Sequence, residues 1–454
     1  RGSKVKMHLK GSTEYGSIKW IGYPKAGKSL MVGLEMENNV GNSDGMIKEK
    51  RLFKTSTEKG IFTKYEHCEP DDRYPSHIQE NNMEYEKKPP REVIELDPPA
   101  KFKKDYAGRE RGIVGRDNSC YLDSTLFCMF AFNDTFDHLL DTDESLPDNE
   151  RDIVDHLKAN IINPLRSKFR VESESMMHLR TMLDNLNIVK GLRGDQKDPE
   201  EVLKALFQKA LNVQELYQMT NGTGDYFVQI FGSRDENLIP TTQKLLNSTF
   251  LLNGIKLSQA PECLIIQLPR YGKENKIYDK IFPTPVLHMD EIVQNALRFC
   301  MFCGNNAEIE CKDCAGMFSI EDCVVPAYCN RCSEIRHSSP QRENHKLITL
   351  PEEAVPVEQF ELFGVLCIET SHYVAFAKTG KEENAPWVFF DSMADRVEEL
   401  SGYAYNIPEV KVCKHLQNFL YEDGLSELHT VKLSGEDHRF FSHSSVCFYR
   451  KMKP

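Results

Sequence analysis

A chain of 454 residues is too long for one ordinary hydrophobic core, so two to four units of about 100–200 residues each are expected. With 40% hydrophobic and 28% charged residues it is globular rather than disordered, and no apolar run approaches the ~18 residues of a membrane span. The net charge of −12 is uneven: residues 1–70 carry 13 Lys and Arg against 8 Asp and Glu, whereas the remainder carries 44 against 61. An acidic main body argues against duplex nucleic acid as a partner and suits a basic protein, as well as plain solvation.

The opening Arg1-Gly2-Ser3 has neither Met nor an apolar run and reads as a cloning remnant rather than a secretion signal. Residues 1–70 then alternate short β-type runs, such as Ser17 to Ile21 and Leu30 to Leu34, with glycines at turn spacing (Gly11, Gly16, Gly22, Gly27, Gly33, Gly41, Gly45, Gly60). A small β-barrel is expected there. From 71 to 107 the apolar periodicity lapses into charges and the runs Lys87-Lys88-Pro89-Pro90 and Asp97-Pro98-Pro99, a linker composition. The rest, 108–454, begins with helical patterns over Tyr121–Phe132, Ile153–Leu165, Met176–Leu186 and Pro199–Leu211. Asp198 before Pro199, with Glu201 three residues on, is a helix-start signal. From Tyr226 strand patterns take over, at Cys263–Leu268, Glu361–Ile368, Tyr373–Lys378 and Trp387–Phe390. Helices followed by strands without regular alternation predict an α+β body.

Seven of the 14 cysteines fall between Cys300 and Cys332. Cys300-x2-Cys303, Cys311-x2-Cys314 and Cys329-x2-Cys332, followed by His337 and His345, supply eight ligands, enough for two closed, structural Zn2+ sites that would fold a segment (298–350) lacking a core of its own. Paired spacing without a secretion signal favours a reducing, cytoplasmic setting over disulfides. The ligand order resembles B-box and RING-like modules. Their cross-braced pairing implies Cys300, Cys303, Cys329 and Cys332 on one ion, and Cys311, Cys314, His337 and His345 on the other. Cys323 is left over.

Asn118-Ser119-Cys120-Tyr121 follows three glycines and opens an apolar helix, where the helix dipole and free N–H groups favour a thiolate and an oxyanion, with the Asn118 side chain as a further donor. A base is offered by His372 at the head of a strand, which runs through the turn Thr379–Asn384 into a second strand ending at Asp391. A hairpin centred in that turn places His372 and Asp391 nearly opposite one another. The aspartate then accepts from imidazole Nδ1 and leaves Nε2 for the thiol.

The Cys120 box, the Asp198-Pro199-Glu200-Glu201 helix start, Leu264–Tyr271, His372-Tyr373-Val374-Ala375 and Trp387–Asp391 occur in the order of the ubiquitin-specific protease family, which the chain resembles over roughly 108–454. The likeness implies a papain-like deubiquitinase with Cys120 as nucleophile, His372 as general base and acid, and Asp391 as orienting residue. Asn118 or backbone N–H groups would then serve the oxyanion, because the family's asparagine five residues before the cysteine is Gly115 here. Paired finger cysteines of the common family pattern are absent between Tyr226 and Cys263. Gly41-Asn42-Ser43-Asp44-Gly45 and Arg51-Leu52-Phe53 resemble a CAP-Gly domain, with Asn42 where the groove motif has lysine, which favours a proline-rich peptide over an acidic tail. The family member with the most similar Cys and His boxes carries a B-box-type insertion and preceding CAP-Gly domains. That likeness implies ubiquitin and polyubiquitin as partners, linear and lysine-sixty-three-linked chains as substrates, and negative regulation of signalling such as NF-kappaB. It also implies a cytoplasmic location, with microtubule or membrane association through partners. The alternative is a catalytically silent scaffold that binds ubiquitin or signalling proteins.

Overall fold

In the computed structural model the chain divides into two compact units, Arg1–Val93 and Ile94–Pro454. The structure describes residues 3–9, 11–22, 31–47, 50–73, 93–141, 146–231, 239–271, 275–315, 324–398, 404–421 and 424–452; Gly27, Leu30, the Lys87–Pro90 run and Cys323 lie outside them.

In the first unit β1 (Lys4–Leu9), β2 (Ser12–Gly22), β3 (Met31–Met36), β4 (Gly60–Lys64) and β5 (Glu69–Pro70) form an antiparallel sheet in the order β4-β3-β2-β1-β5. Alternation along these strands buries Val5, Met7, Ile18, Val32, Leu34, Met36 and Ile61 in one small core. A bulge between Ile18 and Trp20 re-aims β2. Trp20 lies 6.1 Å from the Phe62 ring and Phe53 lies 5.2 Å from it, so three half-buried aromatics share one shelf. Two glycines make room for that shelf. A Cβ on Gly33 would meet the Phe53 ring at 2.4 Å, and Gly45, at φ 93°, would meet the Phe53 carbonyl at 2.2 Å.

The second unit begins earlier than its composition suggests. Residues 94–107 belong by composition to the linker, but they pack on this unit: Ala100 is in its core, and Asn163 accepts from the Asp97 N–H at 2.8 Å and donates to the Glu95 carbonyl at 2.8 Å. Pro98 and Pro99 have no N–H to offer, so the neighbouring groups hold this extended stretch: Arg166 donates to the Asp97 carbonyl at 2.7 Å, and the Ala100 N–H donates to the Ala131 carbonyl at 3.0 Å.

Strand β6 (Gly108–Arg109) leads to α1 (Cys120–Phe130), which is buried along its whole length, the polar Asp123, Ser124 and Thr125 included. Next come α2 (Asp148–His156), a wider π-turn over Leu157–Ile162, and α3 (Asn163–Ser167), which together form the helical stretch expected around Ile153–Leu165. The wide turn precedes Pro164, whose missing N–H interrupts the ladder. They are followed by α4 (Ser173–Asn185) and α5 (Pro199–Ala205), in which the Asp198 carboxylate caps the Glu200 N–H at 2.9 Å. Strand β7 (Val228–Gln229) precedes α6 (Thr242–Asn253), a helix not anticipated in the strand-patterned half; Thr241 caps it at the Lys244 N–H. Then come β8 (Cys263–Gln267) and β9 (Val286–His288).

The cysteine-rich segment holds β10 (Ile309–Cys311), α7 (Lys312–Ala315), β11 (Ala327–Tyr328), α8 (Asn330–His337) and β12 (Leu347–Thr349). Its neck lies just outside 298–350: Leu297 donates to the Val355 carbonyl and Val355 to that of Asn295, both at 2.8 Å. Buried Arg298 braces it by bonding Glu291, Glu310 and the Val325 carbonyl.

The main sheet is completed by β13 (Gln359–Glu369), β14 (His372–Lys378), β15 (Trp387–Glu398), β16 (Ala404–Cys413) and, after α9 (Leu416–Tyr421), α10 (Gly424–Leu428) and α11 (Gly435–His443), by β17 (Ser444–Lys451). Among the described residues its order is β7-β8-β17-β13-β14-β15-β16-β6, with β9 paired to β13. Successive side chains divide between two cores. Phe363, Tyr373, Ala375, Phe390 and Phe448 face α1, whereas Leu362, Val374, Phe376, Phe389 and Tyr449 face α6 and α11. Burial of both faces is why these strands read as continuous apolar runs rather than as alternating ones.

Candidate active site

The turn before α1 is wound by Asp117 (φ 49°) and Asn118 (φ 61°), side chains that tolerate the left-handed region. Buried Arg180 of α4 holds this turn by donating to the Asp117 carbonyl at 2.8 Å and the Arg116 carbonyl at 3.1 Å, and it also bonds the Leu192 carbonyl. Cys120 thus starts a helix whose first N–H groups lack intrahelical acceptors, and its side chain is 3% exposed. Opposite it, α1 packs on the sheet through the stacked Phe127 and Phe390 rings, 4.1 Å apart, and through Ser124, which donates to the Tyr373 carbonyl at 3.1 Å. The second contact sits next to His372.

His372 and Asp391 meet at 2.7 Å, from Nε2 to Oδ1. Their geometry differs from expectation in two respects. The register pairs Ala375 with Phe390, which puts Asp391 opposite Val374 rather than opposite His372; the two residues are diagonal neighbours on one face of the hairpin, still within side-chain reach. The carboxylate also takes Nε2, not Nδ1, so Nδ1 is the nitrogen left for the thiol. Met393 N–H donates to the same Asp391 oxygen at 2.9 Å and fixes the carboxylate.

Burial alone would lower the His372 pKa, but hydrogen bonds from Asp391 and Cys120 raise it to about 9. Burial would raise Asp391, yet the His372 contact holds it below the usual carboxylate range. The pair therefore favours an imidazolium between a thiol and a carboxylate.

Asn118 does not stand free as an oxyanion donor: its Nδ2 donates to the Gly194 carbonyl at 3.0 Å. The backbone N–H groups at the start of α1 are the better placed donors. Beside them an open cleft of about 420 Å³ is lined by Gly115, Arg116, Asn118, Met393, Arg396 and Asn406, among others. Residues not singled out from sequence also reach the site. Gln196 donates to the Ser371 carbonyl just before His372, Arg180 anchors the nucleophile turn, and Asp123 lies buried behind Cys120. Only Asp123 left a signal, as a lone charge in an otherwise apolar helix.

The eight candidate metal ligands fall into two groups, Cys300, Cys303, Cys329, Cys332 and Cys311, Cys314, His337, His345, with ligand atoms within 4.8 Å of one another in each. The Cys303–Cys329 sulfur separation is 3.7 Å, close to the ~3.8 Å edge of a tetrahedron with 2.3 Å metal–sulfur bonds. Cys314 Sγ lies 3.4 Å from His337 Nε2 and 3.3 Å from His345 Nδ1. His337 Nδ1 is tied to the Ser333 carbonyl at 2.9 Å, which leaves Nε2 for an ion. Both groups could hold a metal.

The chain joins a small β domain to a unit in which a cysteine at a helix start, a histidine and an aspartate converge on one site. Residues 111–407 match the family model "Ubiquitin carboxyl-terminal hydrolase", and residues 2–68 match "CAP-Gly domain". The chain belongs to the ubiquitin carboxyl-terminal hydrolase family and carries a CAP-Gly domain ahead of its catalytic domain. It is similar to the proteins named "Ubiquitin carboxyl-terminal hydrolase CYLD" of Bos taurus, Homo sapiens and Mus musculus, at 36% identity over 469 residues and 96% of this chain; it spans 49%, 48% and 49% of theirs, about half the length of these curated relatives. Among solved structures, one titled "Structure of the Ubp8-Sgf11-Sgf73-Sus1 SAGA DUB module" aligns with 76% of this chain and 68% of its own, at 12% identity and a TM-score of 0.38. Among the described residues no helix is long and apolar enough to cross a membrane.

Proposed function

We propose that the chain is a thiol-dependent deubiquitinase that uses Cys120, His372 and Asp391. The observation that carries this reading is the His372 imidazole set between the Asp391 carboxylate and the Cys120 thiol at a helix N-terminus, inside the region matched by the family. With the thiol proton already held on Nδ1, Asp391 at Nε2 keeps the imidazolium in place. The thiolate attacks the carbonyl of ubiquitin's C-terminal glycine, and the oxyanion that forms is met by N–H groups at the start of α1. The imidazolium then gives its proton to the departing amine. Water, deprotonated by the same imidazole, hydrolyses the thioester and restores the thiol.

Polyubiquitin joined linearly or through lysine sixty-three is the preferred substrate in this reading, and down-regulation of ubiquitin-dependent signalling such as NF-kappaB is the biological consequence. The CAP-Gly shelf of Trp20, Phe53 and Phe62 takes a peptide, proline-rich rather than acidic because Asn42 stands where the groove motif has lysine. Two Zn2+ ions, one in each ligand group, hold the inserted module together. A ubiquitin bearing a C-terminal electrophile tests the assignment: the native chain is labelled at Cys120 and cleaves di-ubiquitin, and Cys120→Ser does neither. Native chain that neither labels nor cleaves would leave the silent scaffold as the better reading.

A further inference from the structure

Asp123 has no part in the steps above, yet it sits one turn into α1, fully buried behind Cys120. Its Oδ2 accepts from the Ser119 hydroxyl at 2.6 Å, and Ser119 Oγ in turn accepts from the Arg116 N–H at 2.9 Å, so the carboxyl is tied to the turn that presents Cys120. On the other wall of the cleft, Ser392 follows Asp391 on β15. Its side chain is fully buried, and its hydroxyl acts on the Asp123 carboxyl. Asp123 Oδ1 and Ser392 Oγ are buried without a completed hydrogen bond to any described residue. Each such orphan costs ~1–3 kcal/mol, and a hydrogen bond between the two would relieve both.

Resting on the deubiquitinase reading above, we infer that Asp123 is a positioning residue for hydrolysis: through Ser119 and Ser392 its carboxyl ties the turn carrying Cys120 to the strand carrying Asp391, and so sets the spacing of thiol and imidazole. Burial raises the Asp123 carboxyl to about 7, against Ser119, Ser392, Arg180 and His372, which favour its ionised form. Tyr121 on the same helix also feels its charge, and Arg180, close by, gives Nε and Nη1 to three backbone carbonyls while its Nη2 is buried without a partner among the described residues. In its neutral form the acid donates one O–H toward Ser392 and accepts from Ser119 on the other oxygen. Asparagine offers the same donor and acceptor; alanine offers neither.

The test is steady-state cleavage of a fluorogenic ubiquitin C-terminal amide by native chain, Asp123→Ala, Asp123→Asn and Ser392→Ala, with folding followed by circular dichroism. Misplacement by about 1 Å lowers kcat by ~10²-fold, so Asp123→Ala should lose kcat on that scale with KM unchanged. Asp123→Asn should recover to within severalfold of the native chain, and Ser392→Ala should lose about tenfold in kcat, since it removes the inferred second hydrogen bond to the carboxyl at ~1.4 kcal/mol per tenfold. A folded Asp123→Ala with native kcat overturns the inference, and so does Asp123→Asn as impaired as Asp123→Ala, because charge rather than hydrogen bonding would then matter. If Asp123→Ala fails to fold, Ser392→Ala and Asp123→Asn decide by the same criteria. A native chain without activity overturns the deubiquitinase reading itself, and this inference with it.

Discussion

Cysteine serves opposite ends in two regions of the catalytic unit. Among the described residues of the inserted module the buried apolar ones amount to Cys300, Cys311, Cys314, Val325, Ala327 and Tyr328, while Phe299, Phe302 and Ile335 are 53%, 55% and 67% exposed. So small a core cannot offset the entropy of ordering some fifty residues, and bonds to a metal in the two ligand groups would take its place. Around the main sheet the order of dependence is reversed. Two large cores build the scaffold without metal, thiols such as Cys128 and Cys263 serve only as packing, and burial pushes the Cys263 thiol up to about 12. Against that background Cys120 differs by position alone: it is equally buried, but it stands at a helix start beside a charged imidazole. The lesson is that reactivity comes from the surroundings of a thiol and not from its exposure.

The sharpest way to break this comparison is Cys120→Ala, which should lower kcat by about 10⁶-fold with the melting temperature unchanged, as read by single-turnover cleavage and calorimetry. If the variant melts early, Cys120 belongs with the packing cysteines. Next in size is metal removal. Elemental analysis should find two zinc equivalents per chain, and a strong chelator should unfold residues 298–350, seen as new protease cuts there, while the sheet core keeps its amide protection. Concurrent loss of the core would erase the distinction between the regions. Asp391→Asn comes third, with kcat down by about 10²- to 10⁴-fold and labelling of Cys120 slowed rather than abolished.

The smallest effect is in pH dependence. The His372 pKa is raised from 6.5 to about 9, so its charged form contributes stability in full below about pH 6.5 and loses it as the pH rises through about 9. The same proton is needed by the leaving amine. Accordingly kcat/KM should fall as the pH passes about 9, and in Asp391→Asn that limb should move to lower pH; a limb that stays put would mean Asp391 does not set the imidazole pKa.

Periodicity made much of this fold readable. Both-face burial wrote β13, β14 and β15 as apolar runs, and Asp198-Pro199 announced α5. It failed at α6, whose apolar residues come in adjacent pairs, Leu245-Leu246 and Phe250-Leu251, and look like strand in a strand-rich half. It also failed at 94–107, where charges flank an Ala100 that docks in the core. At the site, residue types and order pointed to Cys120, His372 and Asp391. They did not disclose the register offset, the nitrogen facing the carboxylate, or the engagement of Asn118 with Gly194, because these depend on turn lengths and side-chain rotation. Arg180 and Gln196 act on backbone carbonyls distant in sequence, a role that no local pattern records.

Gly115 carries one further consequence. Its N–H donates to the Ser392 carbonyl at 2.9 Å, and a Cβ there would lie 2.7 Å from both Ser392 Oγ and Met393 Cγ. Any side chain at this position must displace the segment that follows Asp391, at a strain of ~1–3 kcal/mol. An asparagine there would need the Ser392 and Met393 side chains to move aside first, so the order of substitutions, and not only their number, decides whether a side-chain donor can be installed at this position.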